Sequence, residues 1–217
     1  NALDNTSRNF HFEEPGRSFR QKYPVKTYKI DGFKCVYTSS AKQQAPLYHI
    51  IYFHGGSYTK PAVRAHWHII DNILSRVNVD LTFVNYPLSP ENKCIRTIDM
   101  AYQSYRNVAD NYSKDIILMG DSAGGGLALA LAEFIKRKNK QTRPKKLVLL
   151  SPWLDVSMDT YVSKDLSERD LILDEDMLKL MGEYYAGYMS TKNYLCSPLY
   201  GRLRGLGEIA VFTGTHD

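Results

Sequence analysis

An apolar run, Ile116-Ile117-Leu118-Met119, passes straight into Gly120-Asp121-Ser122-Ala123-Gly124-Gly125 and then into an apolar stretch reaching Ile135. No other feature constrains the fold of this chain as much. The short run reads as a buried strand, and the residues after the glycines have helical spacing. A strand can feed a helix this abruptly only through a sharp turn, which lifts its central residue into a strained conformation with the side chain exposed. Glycine is required two places before and two places after that residue, because a Cβ on Gly120 or Gly124 would collide with the neighbouring strand or helix. The same turn aims the first amides of the helix, and the positive end of its dipole, at whatever Ser122 approaches. Ser122 is therefore the candidate nucleophile.

Taken alone, G-x-S-x-G also describes a glycine-rich turn with no chemistry. A second constellation upstream weighs against that bland reading. Leu47 to Phe53 reads as a buried strand rich in β-branched and aromatic residues, and it runs into His54-Gly55-Gly56-Ser57-Tyr58. A glycine pair at the carboxyl end of a parallel strand lets backbone N–H groups turn inward, toward the place where an oxyanion would form. The two loops are expected to meet at one end of one sheet.

Together, H-G-G-S-Y and G-D-S-A-G-G resemble the hormone-sensitive-lipase-like branch of the α/β-hydrolases, which includes bacterial carboxylesterases and acetyl esterases. Tyr86-Pro87-Leu88-Ser89-Pro90-Glu91 is similar to the family's Y-R-L-A-P-E segment, and Asp99 falls where the next helix usually carries an acid. Ser151-Pro152-Trp153-Leu154-Asp155, Ser197-Pro198-Leu199 and Gly214-Thr215-His216-Asp217 match further family segments, in the expected order over about residues 25 to 217. The resemblance implies a mostly parallel central sheet with helices on both faces and a small helical cap. It also implies a serine hydrolase that cleaves short-chain carboxylic esters of small molecules through an acyl-enzyme, without cofactor or metal. The backbone N–H groups of Gly56, Ser57 and Ala123 would form the oxyanion hole. Ser57 stands where a third glycine is usual, and a serine is expected to offer its N–H if its φ is negative. His54 is expected to be a structural hydrogen-bonder of its loop, along with Gly55, and Asp121 to hold neighbouring loops in place. Asp217 would be the triad acid that orients a histidine.

That histidine is not evident. The order in α/β-hydrolases is Ser, then Asp or Glu, then His. His216 is the only histidine after Ser122, and it adjoins Asp217; sequence neighbours on an extended turn point apart. His11, His49, His66 and His68 lie upstream, in the leader, a strand and a helix, where the fold does not place a base. The expectation is a fragment of a longer protein that lacks its last strand, last helix and histidine loop. Hydrolysis by such a fragment should fall about 10⁴-fold or more, since triad members act as a unit, and one sheet edge should be left bare.

With 217 residues, 43% of them hydrophobic, the chain can bury one sizeable core, so one domain is the default. No run of about eighteen apolar residues exists to span a membrane, and no basic-then-apolar leader with a small-residue cleavage site opens the sequence, which would equally be so for a processed or trimmed start. Cys35, Cys94 and Cys196 are widely spaced without metal-ligand spacing, and read as packed, reduced thiols of a cytoplasmic protein. The net charge of +5 demands no polyanionic partner. The densest basic stretch, Lys136 to Lys146, lacks interleaved aromatics or a reading helix, so it reads as a solvated face and not as a nucleic-acid site. Nothing in the chain speaks to oligomeric state.

Taken coarsely, strands and helices alternate. A hairpin is expected within Tyr28 to Thr38, turning at Asp31-Gly32. Strands are expected at Val79 to Asn85, Asp115 to Met119, Lys146 to Leu150 and Glu208 to Thr213. Helices are expected at Ala62 to Val77, with Trp67, Ile70, Ile73, Leu74 and Val77 on one face, at Ile95 to Ala109, with Ile95, Ile98, Tyr102 and Tyr105 aligned, and at Gly124 to Lys138. Residues 1 to 24 and 155 to 193 break this rhythm and are the expected cap segments, with Asp174 as an N-cap. Tyr184, Tyr185 and Tyr188 would either pack in that cap or line the pocket. Two other functions stay open: a non-catalytic ligand-binding or scaffold protein on the same fold, and hydrolysis of amides or lactones by the same residues.

Overall fold

The computed structural model describes residues 12–42, 44–112, 114–138, 143–159 and 173–214. Seven strands form one sheet: β1 (Val25–Ile30), β2 (Phe33–Ser39), β3 (Tyr48–Phe53), β4 (Val79–Val84), β5 (Asp115–Asp121), β6 (Lys146–Leu150) and β7 (Glu208–Phe212). Among the described residues, five α-helices accompany them: α1 (Arg17–Lys22), α2 (Arg64–Arg76), α3 (Cys94–Asn111), α4 (Ala123–Lys138) and α5 (Glu175–Ala186). The spatial order is β1-β2-β4-β3-β5-β6-β7. β2 runs antiparallel to both β1 and β4, whereas β4, β3, β5, β6 and β7 are parallel. Asp31 and Gly32 close the β1–β2 hairpin with φ values of 50° and 85°, the positive pair that a two-residue turn needs to match strand twist.

Side-chain alternation along the parallel strands splits the interior into two cores. Ile51 and Phe53 of β3 and Leu118 of β5 face α3 and α4. Ile50 and Tyr52 of β3, with Phe83 of β4, face Trp67, Ile70 and Leu74 of α2, and Phe19 of α1 joins them. Strands covered on both faces need near-continuous apolar sequence, which is why these runs are so legible. The N-terminal segment is part of this packing: Trp67 Nε1 donates to the Glu13 carbonyl (2.6 Å), and Phe19 meets the Trp67 ring edge-on at 5.5 Å.

One helical face differs from expectation. On α3 the buried residues are Cys94, Thr97, Ile98, Met100, Ala101, Ser104, Tyr105 and Val108, while Ile95 is exposed. The contact stripe runs through Ile98, Ala101, Tyr105 and Val108, and Ile95 lies to one side of it. All three cysteines are buried free thiols. No helix among the described residues is long and apolar enough to cross a membrane.

Candidate active site

The parallel register decides where the two glycine-bearing loops emerge. Phe53 pairs with Gly120 and Val84 with Phe53, while Asp121 pairs with Leu150 and Leu150 with Phe212. All five parallel strands therefore end at one rim, and the loops after β3 and β5 leave side by side.

The turn after β5 is tight enough to dictate its sequence. A Cβ on Gly124 would stand 2.1 Å from the Phe53 carbonyl oxygen, and one on Gly120 would stand 2.4 Å from the Gly124 carbonyl carbon. Neither distance is tolerable, so glycine is obligatory at both positions. Between them Ser122 has φ +49°, a left-handed conformation that costs a non-glycine residue stability. Three hydrogen bonds hold it there. Its N–H donates to the Leu150 carbonyl (2.9 Å), and its own carbonyl accepts from Gly126 N (3.1 Å) and Trp153 N (2.9 Å).

The neighbouring loop is equally constrained. Gly56, Ser57 and Tyr58 all have positive φ (121°, 51° and 60°). The negative φ on which the expected Ser57 N–H donor depends is thus not what the structure shows. The loop needs a left-handed backbone here, and the serine adopts what a glycine would take without strain. Among the described residues, the N–H groups of Gly56, Ser57 and Ala123 donate to no acceptor.

Asp121 ties the loops together. Its Oδ1 accepts from Tyr52 OH (2.7 Å) and from Gly55 N (3.0 Å), and its Oδ2 lies 3.5 Å from His66 Nε2. Burial works against its charge, but His66, the Tyr52 hydroxyl and the Gly55 amide outweigh it and hold the carboxyl below its ordinary range. His54 is fully buried, stacks on Tyr86 at 4.4 Å, and donates from Nδ1 to the Gly55 carbonyl (2.6 Å). Burial pushes its pKa down to about 4, so the ring is neutral at pH 7. The geometry of Asp121 and His54 is that of loop supports.

A family model described as the α/β-hydrolase fold matches residues 50–217. The chain belongs to the α/β-hydrolase family. It is similar to an esterase of Acinetobacter venetianus, with 28% identity over 89% of this chain and 63% of that protein. It is also similar to an acetyl-hydrolase of Streptomyces hygroscopicus, with 26% identity over 77% of this chain and 56% of that one. The chain therefore spans a little over half the length of these two relatives. The crystal structure of an HSL homologue from a metagenome library superposes with a TM-score of 0.82 at 31% identity, covering 91% of this chain and 68% of that chain.

Within this α/β-hydrolase, Asp217 and His216 lie outside the described residues. The excursion between β6 and β7 is anchored at both feet by Asp155. Ser157 Oγ (2.6 Å) donates to its Oδ1 and Tyr200 OH (3.0 Å) to its Oδ2, while Ser197 Oγ accepts from Val156 N (2.8 Å). Asp174 caps α5 as expected, accepting from Met177 N (2.8 Å). Tyr185 is buried and stacks flat on Tyr58 at 3.6 Å, whereas Tyr184 and Tyr188 are exposed. The contact of Tyr185 is therefore core packing beneath the loop after β3.

One neighbour of the site was invisible in the sequence. His66 looks like an ordinary helix residue, yet it reaches Asp121. The available signal was a polar side chain at the third position of a helix, where it can bond back to the residue before the helix.

Proposed function

We propose that this chain carries the nucleophile and oxyanion hole of a serine hydrolase acting on small carboxylic esters with short acyl groups. The observation that carries the reading is Ser122 at φ +49° on a turn flanked by three amides with no acceptor among the described residues. Ser122 Oγ attacks the ester carbonyl as a base takes its proton. The carbonyl oxygen becomes an oxyanion, held by the N–H groups of Gly56, Ser57 and Ala123. Collapse expels the alcohol, which leaves with the proton, and water then releases the acid by the same steps in reverse order. Relatives named esterase and acetyl-hydrolase support this substrate class.

In this reading Asp217, five residues past the end of β7, orients the base. The base is none of the described histidines. His49 is buried early in β3, far from the rim, His54 is spent on its own loop, His66 is held by Asp121, and His68 is exposed on α2. His216, next to Asp217 in the sequence, lies outside the described residues. Of the two expected cap segments, 1–24 and 155–193, residues 1–11 and 160–172 lie outside the described residues, and Phe12, Glu13 and Phe19 of the first pack against Trp67.

Replacing Ser122 by Ala in the full-length protein is expected to abolish hydrolysis of p-nitrophenyl acetate while leaving the circular dichroism spectrum unchanged. Undiminished turnover in that variant would refute the reading. A fluorophosphonate probe is expected to label Ser122, and the Ser122→Ala variant to show no labelling.

A further inference from the structure

The loop from Gly55 to Val63 carries two of the three proposed oxyanion amides, and one imidazole grips it at both ends. His66 is the third residue of α2, and only 10% of its side chain is exposed. Its Nδ1 accepts the N–H of Val63 at 2.9 Å and lies 3.1 Å from the Val63 carbonyl oxygen, at the far end of the loop. A neutral ring that accepts at Nδ1 carries its hydrogen on Nε2, and Nε2 faces Asp121 Oδ2 at 3.5 Å. The other oxygen of that carboxylate takes the N–H of Gly55, at the near end of the loop. The His66 ring also meets the His54 ring at 5.6 Å, beneath the first residue after β3.

We infer that His66 is a positioning residue for the oxyanion hole. It fixes the Asp121 carboxylate, and thereby the Gly55 peptide, so that the adjoining Gly56 N–H is aimed before substrate arrives. The inference rests on the ester-hydrolase reading above. Preorganised donors stabilise the transition state because they need no reorientation when charge develops. A loosened Gly56 N–H should therefore slow the chemical step and leave ground-state binding almost untouched.

The test uses the full-length protein and three variants. His66→Phe keeps a ring but has no polar atom. His66→Asn still reaches Val63 N–H but is too short for Asp121. His66→Gln reaches both. His66→Phe and His66→Asn are expected to lower kcat about tenfold or more with KM within about twofold, in line with a damaged oxyanion donor. Affinity for a trifluoromethyl ketone, whose bound form mimics the oxyanion, should weaken by the same factor as kcat. His66→Gln should recover most of both. Because His66→Asn retains the bond to Val63, it tests the Asp121 arm even if His66→Phe does not fold. The inference is overturned if His66→Asn keeps full kcat and inhibitor affinity, or if His66→Gln is as impaired as His66→Asn. Turnover surviving in Ser122→Ala would sink the ester-hydrolase reading itself. A dead Ser122→Ala beside a fully active His66→Asn would sink only the role given to His66.

Discussion

The two ends of the parallel strands hold nearly the same side chains and put them to opposite uses. At the rim, Asp121 sits among a tyrosine hydroxyl, an amide and a histidine. Near the other end, Asp80 of β4 accepts from Tyr37 OH (3.0 Å) and pairs with Lys114, beside His49 and the stacked rings of Tyr37 and Tyr112. In both places burial opposes ionisation and hydrogen-bonding partners outweigh it, leaving the carboxyl below its ordinary range. The Asp80 cluster closes on itself as a buried ion pair. Around Asp121 the backbone is bent into left-handed conformations at Gly56, Ser57, Tyr58 and Ser122, and three amides remain unused. What separates a site from a structural cluster here is strain and spare donors, not the kinds of residue present.

The contrast can be broken by experiment, and the largest effect lies at the quiet end. Lys114→Met leaves the Asp80 carboxylate buried with only Tyr37 and Ser39 for support. Urea unfolding should show a loss of about 3–5 kcal/mol, with kcat/KM per folded molecule within about twofold of the parent. A large loss of activity would show that the two ends are coupled.

Acid should act on both ends alike. Burial pushes His49 and His54 down to about 4 from an ordinary 6.5. As pH falls from 6.5 toward 4, the unfolded chain binds protons at these rings that the folded chain refuses, so stability falls across that window. Each ring should contribute about 3 kcal/mol of this loss. Asp80 and Asp121, with folded values below their ordinary 3.8, lose their contribution only at still lower pH. Urea midpoints at pH 7, 5.5 and 4, compared with His49→Gln, should show roughly half the slope removed.

The smallest effect sharpens the comparison. Tyr52→Phe removes one of the bonds to Asp121 and leaves Gly55 N and His66 in place. Stability should drop by about 1 kcal/mol, and kcat should fall only a few-fold. An unchanged kcat would mean that the phenol supports the fold alone.

Much of the scaffold was legible because strands covered on both faces must be apolar and turns must carry glycine. β6 spans the expected residues, the hairpin turns at Asp31-Gly32, and the two glycine-bearing loops meet at one rim. Asp121 and His54 hydrogen-bond to the loop after β3. What escaped were features set by three-dimensional approach. Ile95 has the spacing of a buried residue, yet it lies beside the stripe of Ile98, Ala101, Tyr105 and Val108 that α3 turns inward. The sign of φ at Ser57 follows from the loop's closure and not from the residue. His66 meets Asp121 across a long stretch of chain, and no periodicity records such a contact.

The start of α4 has a consequence for how activity arises. Gly124, Gly125 and Gly126 each disfavour a helix by about 1 kcal/mol relative to alanine, so the first turn of α4 is unstable by itself. Its partners are the end of β3 and the backbone of Pro152 and Trp153, which leave no room for even a methyl group at these positions. A chain whose sheet has not yet assembled therefore has no bent Ser122 and no aligned amides. The left-handed turn at Ser122 is thus a property of the assembled sheet and not of the local sequence.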